Sequence, residues 1–493
     1  MLLEDTLTAQ QVDQHSITGQ LFIHGTWRDA ANGATTDVIN PANGQVIGTV
    51  ADATRQDVDD AVTAAREAFD SGVWSAKPAR ERARILFRVA ELIRERSEKL
   101  ALLESLDVGK PLTIAGAVDV ETAAEEYEHM AALTMQISGD VRQTQAPAHA
   151  FTHREAVGVV AAITPFNFPL VMSATKLAPA LAMGNSVVHK PSPDTPLTAL
   201  AMVDILQEAG IPDGVVNVVT AAGAEAGEAM TTHPQVDMVA FTGSTQVGAL
   251  IAEQAGRSVK PVNLELGGNG AHVVFADADL EVAVGSIVGG ALFNGGQFCM
   301  AGTRILVERA IYDTVVDRVT QAVSAMKVGD PAEPDTEMGP MANAKQLARV
   351  EGYIQQAREA GATITTGGQR VDLDGGFYYQ PTVVTGVDDA NPVVAEEVFG
   401  PVITIQPFDT EEEAISRANA TEYGLAAGIQ TGDVKRAHRV SKAIQAGLVW
   451  VNTYGLLDPA MPFGGVKQSG YGRERGVEGL EAYTQIKSVV FGL

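Results

Sequence analysis

The spacing of apolar side chains predicts two amphipathic helices in the N-terminal quarter of the chain. The first begins after Thr54, because Thr54-Arg-Gln-Asp57 is typical of a capping box and apolar residues then recur every three or four positions. The second is predicted over residues 79–100, where apolar residues form one face and arginines and glutamates the other. Each helix is therefore expected to bury its apolar face and to expose its charged face to solvent.

From residue 157 onward the pattern changes to short β-branched and apolar runs that alternate with helical segments. The first series of predicted strands covers residues 157–163, 186–189, 215–219 and 236–241, with helices at 198–209 and 224–232. A second series follows a glycine-rich segment and covers residues 271–275, 303–307, 402–405, 426–430 and 448–451. Alternation of this kind is typical of parallel βαβ units, so we predict an α/β protein with two α/β domains.

The composition is that of a globular protein, and its charge excludes two classes of partner. The chain has 493 residues, of which 45% are apolar and 19% charged. Lys and Arg total 35 against 61 Asp and Glu, which gives a formal net charge of −26 at pH 7. Because phosphate backbones and anionic lipids need a basic surface, neither nucleic acid nor a membrane is expected as a partner.

Two uncharged stretches are long enough to span a membrane, but their composition favours buried core. Residues 156–175 contain two prolines and an asparagine, residues 282–303 contain six glycines, and neither stretch is flanked by a cluster of Lys and Arg. Residues 1–20 lack the basic start and apolar centre of a signal peptide, and the single cysteine, Cys299, excludes an intramolecular disulfide. We therefore expect a cytoplasmic location.

A glycine turn lies between a predicted strand and a predicted helix at Phe241-Thr-Gly-Ser-Thr245. Gly243 would allow close approach of the backbone, Ser244 would cap the helix, and the first N–H groups of the helix would be free to bind a pyrophosphate. The sequence is not GxGxxG. From these residues alone, a cofactor site and a plain helix cap remain alternatives.

Three residues are candidates for covalent chemistry. Cys299 lies between glycines in Gly296-Gln-Phe-Cys-Met-Ala-Gly302, and a thiol nucleophile needs both an oxyanion-binding group and a base. Asn167 supplies a candidate amide between two prolines, and Glu265 supplies a candidate carboxylate before a Gly-Gly pair. Two alternatives stay open here, namely Cys299 as a small buried hydrophobe and Glu265 as a solvent-facing carboxylate.

Seven motifs, in order and spacing, resemble those of the NAD(P)-dependent, hydrolytic aldehyde dehydrogenase superfamily over nearly the whole chain. They are Pro165-Phe-Asn-Phe-Pro169, Lys190-Pro-Ser192, Phe241-Thr-Gly-Ser-Thr245, Leu264-Glu-Leu-Gly-Gly268, Gly296-Gln-Phe-Cys299, Glu396-Glu-Val-Phe-Gly-Pro401 and Pro462-Phe-Gly-Gly-Val-Lys467. The resemblance implies that this protein oxidises a small-molecule aldehyde to its acid.

The resemblance also implies a division into domains. A Rossmann-like NAD(P)-binding domain would comprise residues 1–138 and 156–267, an α/β catalytic domain residues 268–480, and a β-arm for oligomerisation residues 139–155 and 481–493. The polar character of 139–155 favours an extended arm over a core element. The arm is expected to pair with a C-terminal strand near residues 486–491 and to build a homo-oligomer, either a dimer or a dimer of dimers.

By the same resemblance, Cys299 matches the nucleophile, Asn167 the oxyanion-binding amide and Glu265 the general base. Lys176 and Glu474 match a pair that relays a proton outward in relatives, although an ordinary buried ion pair would place the same two residues there. The expected chemistry is a thiohemiacetal on Cys299, hydride transfer, and hydrolysis of the resulting thioester.

The cofactor implied is NAD, and one departure from the family pattern extends this to NADP. Lys190 matches the residue that bonds the adenosine ribose, Gly243 and Ser244 the pyrophosphate turn, and Glu397 and Phe399 the contacts of the nicotinamide and its ribose. Pro193 stands where many NAD-specific relatives carry a glutamate that would repel a 2′-phosphate. The further cofactor candidates are Thr164, Pro165, Phe166, Ser192, Leu266 and Gly267. No metal site is expected.

The predicted substrate is an uncharged, apolar aldehyde, either aromatic or of medium chain length. No arginine stands at the matching positions to hold a carboxylate, and Asp458, before a proline, is interpreted as a turn residue. Each wall candidate could instead be an ordinary core residue. They are Phe168, Met172, Thr175, Phe298, Gly455, Leu457 and Phe463.

Two other functions compete with this reading. A CoA-acylating aldehyde dehydrogenase would not need Glu265 to activate water. A non-catalytic dinucleotide-binding protein of the same fold would not need Cys299, Asn167 and Glu265 together.

Overall fold

A computed structural model describes residues 17–492. The sequence analysis predicted that residues 1–20 do not form a signal peptide. Of these residues, 1–16 lie outside the described part. The largest sheet has eight strands, and its five central strands are parallel. In spatial order the strands are Gly470–Tyr471, Val262–Glu265, Met238–Thr242, Val159–Ile163, Ser186–Lys190, Val216–Val218, Leu21–Ile23 and Thr26–Arg28.

A second large sheet has seven strands, six of them parallel. In spatial order they are Thr363–Thr366, Thr382–Thr385, Val402–Phe408, Arg304–Glu308, Ala271–Val274, Ala426–Gln430 and Leu448–Val451. Every strand predicted from the sequence is present in one of these two sheets, with ends shifted by at most three residues. The α/β prediction is therefore confirmed, and the central strands are buried on both faces as parallel strands usually are.

Helices cover the sheets, and those predicted from apolar spacing are present, except that the one predicted over residues 79–100 is interrupted. The helix Arg55–Asp70 begins with the expected capping box, in which Thr54 and Asp57 bond to each other's backbone N–H groups. The other helices of eight or more residues are Ala79–Glu95, Ser97–Val108, Glu121–Thr134, Pro169–Ala182, Leu197–Ala209, Ala224–Thr232, Thr245–Gly256, Leu280–Leu292, Tyr312–Ala325, Ala344–Glu359, Glu411–Asn419 and Val434–Ala443. Shorter helices are Leu112–Ile114, Ala115–Val120, Phe293–Gly296, Arg309–Ile311, Pro392–Ala395, Lys467–Ser469 and Gly476–Ala482.

The prediction of one helix over residues 79–100 is wrong, because the helix is interrupted at Arg96. Arg96 has φ −110° and ψ 22°, and a new helix, Ser97–Val108, starts there. The first helix buries a single face, whereas the second is buried on all sides from Leu100 to Val108. Apolar spacing indicates which residues of a helix are buried but not where one helix ends and the next begins, so the prediction did not place a boundary at Arg96.

Two small sheets complete the fold. One consists of Ile17–Gly19, Gln45–Ala51 and Thr35–Asn40, and the other of Thr484–Gly492, Ala148–Ala156 and Val141–Arg142. In the second, Ile486 pairs with Arg154 and Phe491 with His149, so the pairing expected between the arm and the C-terminal strand is present. The edge strand Gly470–Tyr471 brings the end of the segment 268–480 onto the eight-stranded sheet.

The carboxyl ends of the central parallel strands meet at one edge of the eight-stranded sheet. Thr164, Gly243 and Leu266 follow three of these strands, and the first two of those strands are direct neighbours. Ligands of open α/β sheets bind at this edge. Among the described helices, none has the length and apolar character needed to cross a membrane.

Candidate functional site

A cavity of about 1460 Å³ lies at this edge and is also lined by loops that follow strands of the seven-stranded sheet. Of the site residues predicted from the sequence, all except Glu265 and Lys176 line this cavity. The structure therefore brings together segments that are more than 300 positions apart in the chain, from Thr164 to Glu474.

The cysteine follows a turn with positive φ angles, which glycine and asparagine adopt more readily than other residues. Asn294, Gly295 and Gly296 have consecutive positive φ angles of 51°, 62° and 71°. A Cβ atom on Gly296 would lie 2.1 Å from the carbonyl oxygen of Gly400, so the backbone there excludes any side chain. Cys299, half-buried, faces the cavity directly after this turn. Cys299 also packs against the apolar cluster around Leu425 and Trp450, so both interpretations made from the sequence, a nucleophile and a small hydrophobe, fit this position.

Asn167 is held against the loop that carries the cysteine. Its Nδ2 donates to the backbone carbonyl oxygen of Gln297 over 2.8 Å. The backbone carbonyl oxygen of Asn167 accepts from Nδ2 of Asn294 over 2.9 Å. Gln297 is fixed in turn, because its Oε1 accepts from the backbone N–H of Ala342. Sequence reasoning missed Asn294 and Gln297, although both lie within the glycine-rich segment it singled out.

Glu265 is the last residue of the strand Val262–Glu265 and is buried, with 2% of its surface exposed. Neither carboxylate oxygen has a hydrogen-bond partner among the described residues. Burial raises the pKa of Glu265 well above its usual range, the charge of Glu474 adds to the rise, and Lys176 and Arg473 oppose it. A Cβ atom on Gly464 would lie 2.7 Å from Oε1 of Glu265. The reading of Glu265 as a solvent-facing carboxylate is therefore excluded.

Lys176 and Glu474 form a buried ion pair. Nζ of Lys176 donates to Oε1 of Glu474 over 2.6 Å, and their side chains are 0% and 2% exposed. Glu474 also lines the cavity, while Lys176 lies behind it on the helix Pro169–Ala182. The geometry agrees with both readings made from the sequence, a proton relay and an ordinary ion pair.

The thiol of Cys299 is in an environment that disfavours its charged form. Burial raises the pKa of Cys299, and the carboxylates of Glu397 and Glu265 raise it further. The sulfur therefore keeps its proton at neutral pH, and a nearby base has to remove it for the thiolate to form.

The glycine turn predicted as a cofactor site has the expected strand, turn and helix. Gly243 follows the strand Met238–Thr242, and its N–H donates to the carbonyl oxygen of Glu265 over 3.0 Å. Ser244 caps the helix Thr245–Gly256 by accepting from the N–H of Val247. Both residues line the cavity, so the start of this helix faces the open space.

Lys190 and Glu397 are two of the charged groups that line the cavity near the cofactor candidates. Burial lowers the pKa of Lys190 to about 8, while Asp52 and Asp194 oppose the change. Among the described residues the ammonium group of Lys190 has no hydrogen-bond or ion-pair partner, so its donors are free for a ligand. Glu397 accepts from the N–H of Gly268 over 2.9 Å, and burial raises its pKa to about 7.

Aromatic rings form much of the remaining wall. Phe399, with φ of 57°, packs edge-to-face against Phe166 at 5.7 Å between ring centroids. Phe168 stacks on Phe293 at 6.1 Å, and Phe293 meets Phe298 edge-on at 6.0 Å. These apolar surfaces include both the expected wall residues and Phe293, which sequence reasoning missed.

Two residues near the substrate candidates, the predicted wall residue Thr175 and the predicted turn residue Asp458, have features that bear on polarity. The hydroxyl of Thr175 donates to the carbonyl oxygen of Met172 over 3.1 Å, so its hydrogen bond is used within its own helix. Asp458 is exposed and accepts from the N–H of Ala460, which confirms it as a turn residue.

Two further residues that support the cavity left no sequence signal. Tyr454 donates to the carbonyl oxygen of Met300 over 2.8 Å and packs against Gly290, Gly302 and Gly428, where a Cβ atom would come within 2.6–2.7 Å of its ring. Lys110, fully buried, donates to Asp119 over 2.6 Å and lies 4.0 Å from the ring centroid of Phe168. Within residues 17–492 no group of His, Cys, Asp and Glu is arranged to hold a metal ion.

Comparison with known proteins agrees with the motifs. The model of the aldehyde dehydrogenase family matches residues 27–489. DhaS of Bacillus subtilis (strain 168), a protein named as an aldehyde dehydrogenase, is 42% identical over 472 residues, which are 96% of this chain and 95% of that protein. The family resemblance drawn from the motifs is therefore confirmed.

Solved structures show the same fold over nearly the whole chain. An aldehyde dehydrogenase from Bacillus cereus, solved as a point mutant, has a TM-score of 0.96 at 43% identity and covers 100% of both chains. Betaine aldehyde dehydrogenase from Staphylococcus aureus, solved in complex with NAD⁺, has a TM-score of 0.94 at 41% identity and covers 96% of this chain and 95% of that one.

Proposed function

The chain belongs to the aldehyde dehydrogenase family, whose members oxidise aldehydes with NAD(P), and we propose that it does so by covalent catalysis at Cys299. One observation carries this proposal. The amide of Asn167 is bonded to the backbone two residues before Cys299, in the same cavity that the cofactor candidates line. A nucleophile, an oxyanion donor and a hydride acceptor are the three parts that the reaction needs.

In the first half of the reaction the sulfur of Cys299 attacks the aldehyde carbon, and its proton goes to a base. The oxygen of the aldehyde becomes an alkoxide, which Nδ2 of Asn167 and the backbone N–H of Cys299 stabilise by hydrogen bonds. Loss of hydride from the thiohemiacetal carbon leaves a thioester on Cys299. Asn167 is already held in place by Gln297, so little reorganisation is needed when charge develops.

The residues on the other side of the cavity fit a dinucleotide. The free ammonium donors of Lys190 and the helix start after Ser244 are suited to hydroxyl and phosphate oxygens. The carboxylate of Glu397 is suited to accept from hydroxyl groups. Lys190 would bind the adenosine ribose, Gly243 and Ser244 the pyrophosphate, and Glu397 the nicotinamide ribose. When bound, NAD(P) supplies the hydride acceptor. Phe399 and Phe166 would restrict the position of its ring.

In the second half Glu265 takes a proton from water, which attacks the thioester and releases the acid. A carboxylate without hydrogen bonds in a buried setting holds a proton strongly, and this is the property that a base for water needs. Lys176 and Glu474 then carry the proton away from the site. CoA-acylating enzymes have no need of such a base, and for that reason we favour hydrolysis.

We further propose an uncharged, apolar aldehyde, aromatic or of medium chain length, as substrate. The rings of Phe168, Phe293 and Phe298 and the internally bonded hydroxyl of Thr175 support this choice. The test is an aldehyde panel measured with NAD, with NADP and with added CoA, and including betaine aldehyde. A requirement for CoA, or faster turnover of betaine aldehyde than of every neutral aldehyde, would contradict the proposal.

The arm suggests a homo-oligomer. We propose that its strands Ala148–Ala156 and Thr484–Gly492 form part of the contact between subunits. Ile486, Val490 and Phe491 are exposed apolar residues on a strand that pairs only with Ala148–Ala156 among the described residues. Light scattering should give the mass of a dimer or a tetramer. A monomer at working concentration would contradict the proposal. The division into domains given above remains a prediction.

The substitution Pro193→Glu is expected to shift cofactor preference toward NAD. Pro193 lines the cavity beside Lys190, and a carboxylate there would accept a hydrogen bond from the ribose 2′-hydroxyl and repel a 2′-phosphate. The ratio of kcat/KM for NAD to that for NADP should rise about 10- to 100-fold, mainly through loss of NADP activity. The control Pro193→Gln has the same size without the charge. An unchanged NADP efficiency in the Glu variant would show that other residues set the preference.

A further inference from the structure

A buried arginine in the cavity wall has no hydrogen-bond partner. Arg475 is 5% exposed and lines the cavity together with Glu125, Leu457 and Pro459. Among the described residues, its guanidinium makes no hydrogen bond, and its one ion-pair partner is Glu126, with Nε 3.5 Å from Oε2. A guanidinium has five N–H donors, and those of Arg475 have no hydrogen-bond partner among the described residues although the side chain lines the cavity. These donors therefore point to a ligand.

The backbone holds Arg475 at this place. Arg475 has a φ angle of 58°, a left-handed backbone conformation that residues other than glycine rarely adopt. Two hydrogen bonds fix the chain on either side of it: Glu474 donates to the carbonyl oxygen of Phe463, and Gly476 donates to that of Pro459. Since the loop 459–463 also lines the cavity, the arginine is tied to the cavity wall rather than to the protein surface.

Glu126 offsets part of the charge of Arg475 without accepting a hydrogen bond from it. The carboxylate of Glu126 is 0% exposed, and neither of its oxygens accepts a hydrogen bond within the described part of the chain. The attraction of Arg475 lowers the pKa of Glu126, but burial is the larger effect and raises it to about 7. The pair thus leaves hydrogen-bond donors available, and Glu126, being only partly ionised at neutral pH, offsets only part of the charge of Arg475.

The surrounding charges decide which kind of ligand fits these donors. Glu125 and Glu474 also line the cavity, and His129, whose pKa burial lowers, lies on the same helix as Glu125. The charge of Glu474 is matched by Lys176, but a substrate carboxylate would be repelled by Glu125 and by the ionised form of Glu126. A neutral oxygen acceptor, such as an ether, hydroxyl or carbonyl oxygen, can accept hydrogen bonds from Arg475 without being repelled by the carboxylates.

We propose that Arg475 donates hydrogen bonds to a neutral oxygen on the distal part of the aldehyde substrate. The enzyme then prefers aldehydes with an oxygen acceptor over hydrocarbon aldehydes of the same length. This rests on the proposed function and refines its substrate class from apolar to apolar with one distal acceptor. Arg475 and Glu126 act here as a specificity-determining pair.

The test compares ω-methoxy aldehydes with hydrocarbon aldehydes of equal chain length, for example 6-methoxyhexanal with octanal, across several lengths. The measured quantity is the ratio of kcat/KM for the ether to that for the hydrocarbon. At the preferred length, this ratio should fall about 10- to 100-fold when Arg475→Met is combined with Glu126→Gln. The double variant removes both charges together, so no unpaired charge is left buried.

A second variant separates hydrogen bonding from charge. Glu126→Gln alone leaves the charge of Arg475 unmatched, so the preference for 6-oxohexanoate over octanal should rise relative to wild type. An ether-to-hydrocarbon ratio that is the same in wild type and double variant overturns the inference. Turnover of octanal without any ether preference also overturns it but leaves the proposed function standing. Failure to oxidise any aldehyde overturns both.

Discussion

Replacing Cys299 with alanine is expected to abolish aldehyde oxidation and to leave cofactor binding nearly intact. Cys299 is the single cysteine of the chain, so no second thiol can take over the covalent step. The loss in kcat should reach about 10⁴-fold or more, as is usual when a nucleophile is removed. Steady-state kinetics measure the loss, and titration of protein fluorescence with NAD(P) measures the binding.

Cys299→Ser is the matched control, because it keeps the size of the side chain and supplies a much weaker nucleophile. Its activity should also be close to zero, while alkylation of wild type should label one site per chain and inactivate it in proportion. Substantial turnover by the alanine variant would contradict covalent catalysis at this residue.

Replacing Glu265 with glutamine is expected to separate the two halves of the reaction. Glutamine fills the same buried space but cannot accept a proton from water, so the thioester should form and then persist. A rapid-quench experiment should show one equivalent of NAD(P)H formed per site, followed by a steady-state rate lowered about 10²- to 10⁴-fold. Mass spectrometry of the intact protein should detect the acyl group on Cys299.

The pH dependence of the same step follows from the surroundings of Glu265. Burial and the charge of Glu474 raise the pKa of Glu265, so its base form is scarce at low pH and increases as pH rises. Deacylation by wild type should therefore accelerate with pH through a range well above the usual carboxyl pKa. This dependence should disappear in Glu265→Gln. Equal losses of burst and steady state would instead place Glu265 in the activation of the thiol as well.

Local sequence determined most elements of the fold and the choice of candidate reacting groups. β-branched runs such as 186–190 form strands because they are buried on both faces, and Thr54 with Asp57 starts a helix because capping is a contact between near neighbours. The glycines before Cys299 are required by backbone geometry at positive φ, so the sequence itself marks that turn. Residues selected in this way, Cys299 and Asn167 among them, line one cavity in the structure.

Features that depend on contacts between distant segments were decided by tertiary structure alone. The break at Arg96 divides one predicted helix into two, and the prediction over residues 79–100 did not show it. Arg475 and Glu126 are 349 positions apart, and sequence analysis found no arginine at the substrate site because neither residue belongs to a motif. The physical reason is the same in both cases. Burial and ion pairing of a side chain depend on what the rest of the chain places beside it, whereas periodicity and capping depend on a few adjacent residues.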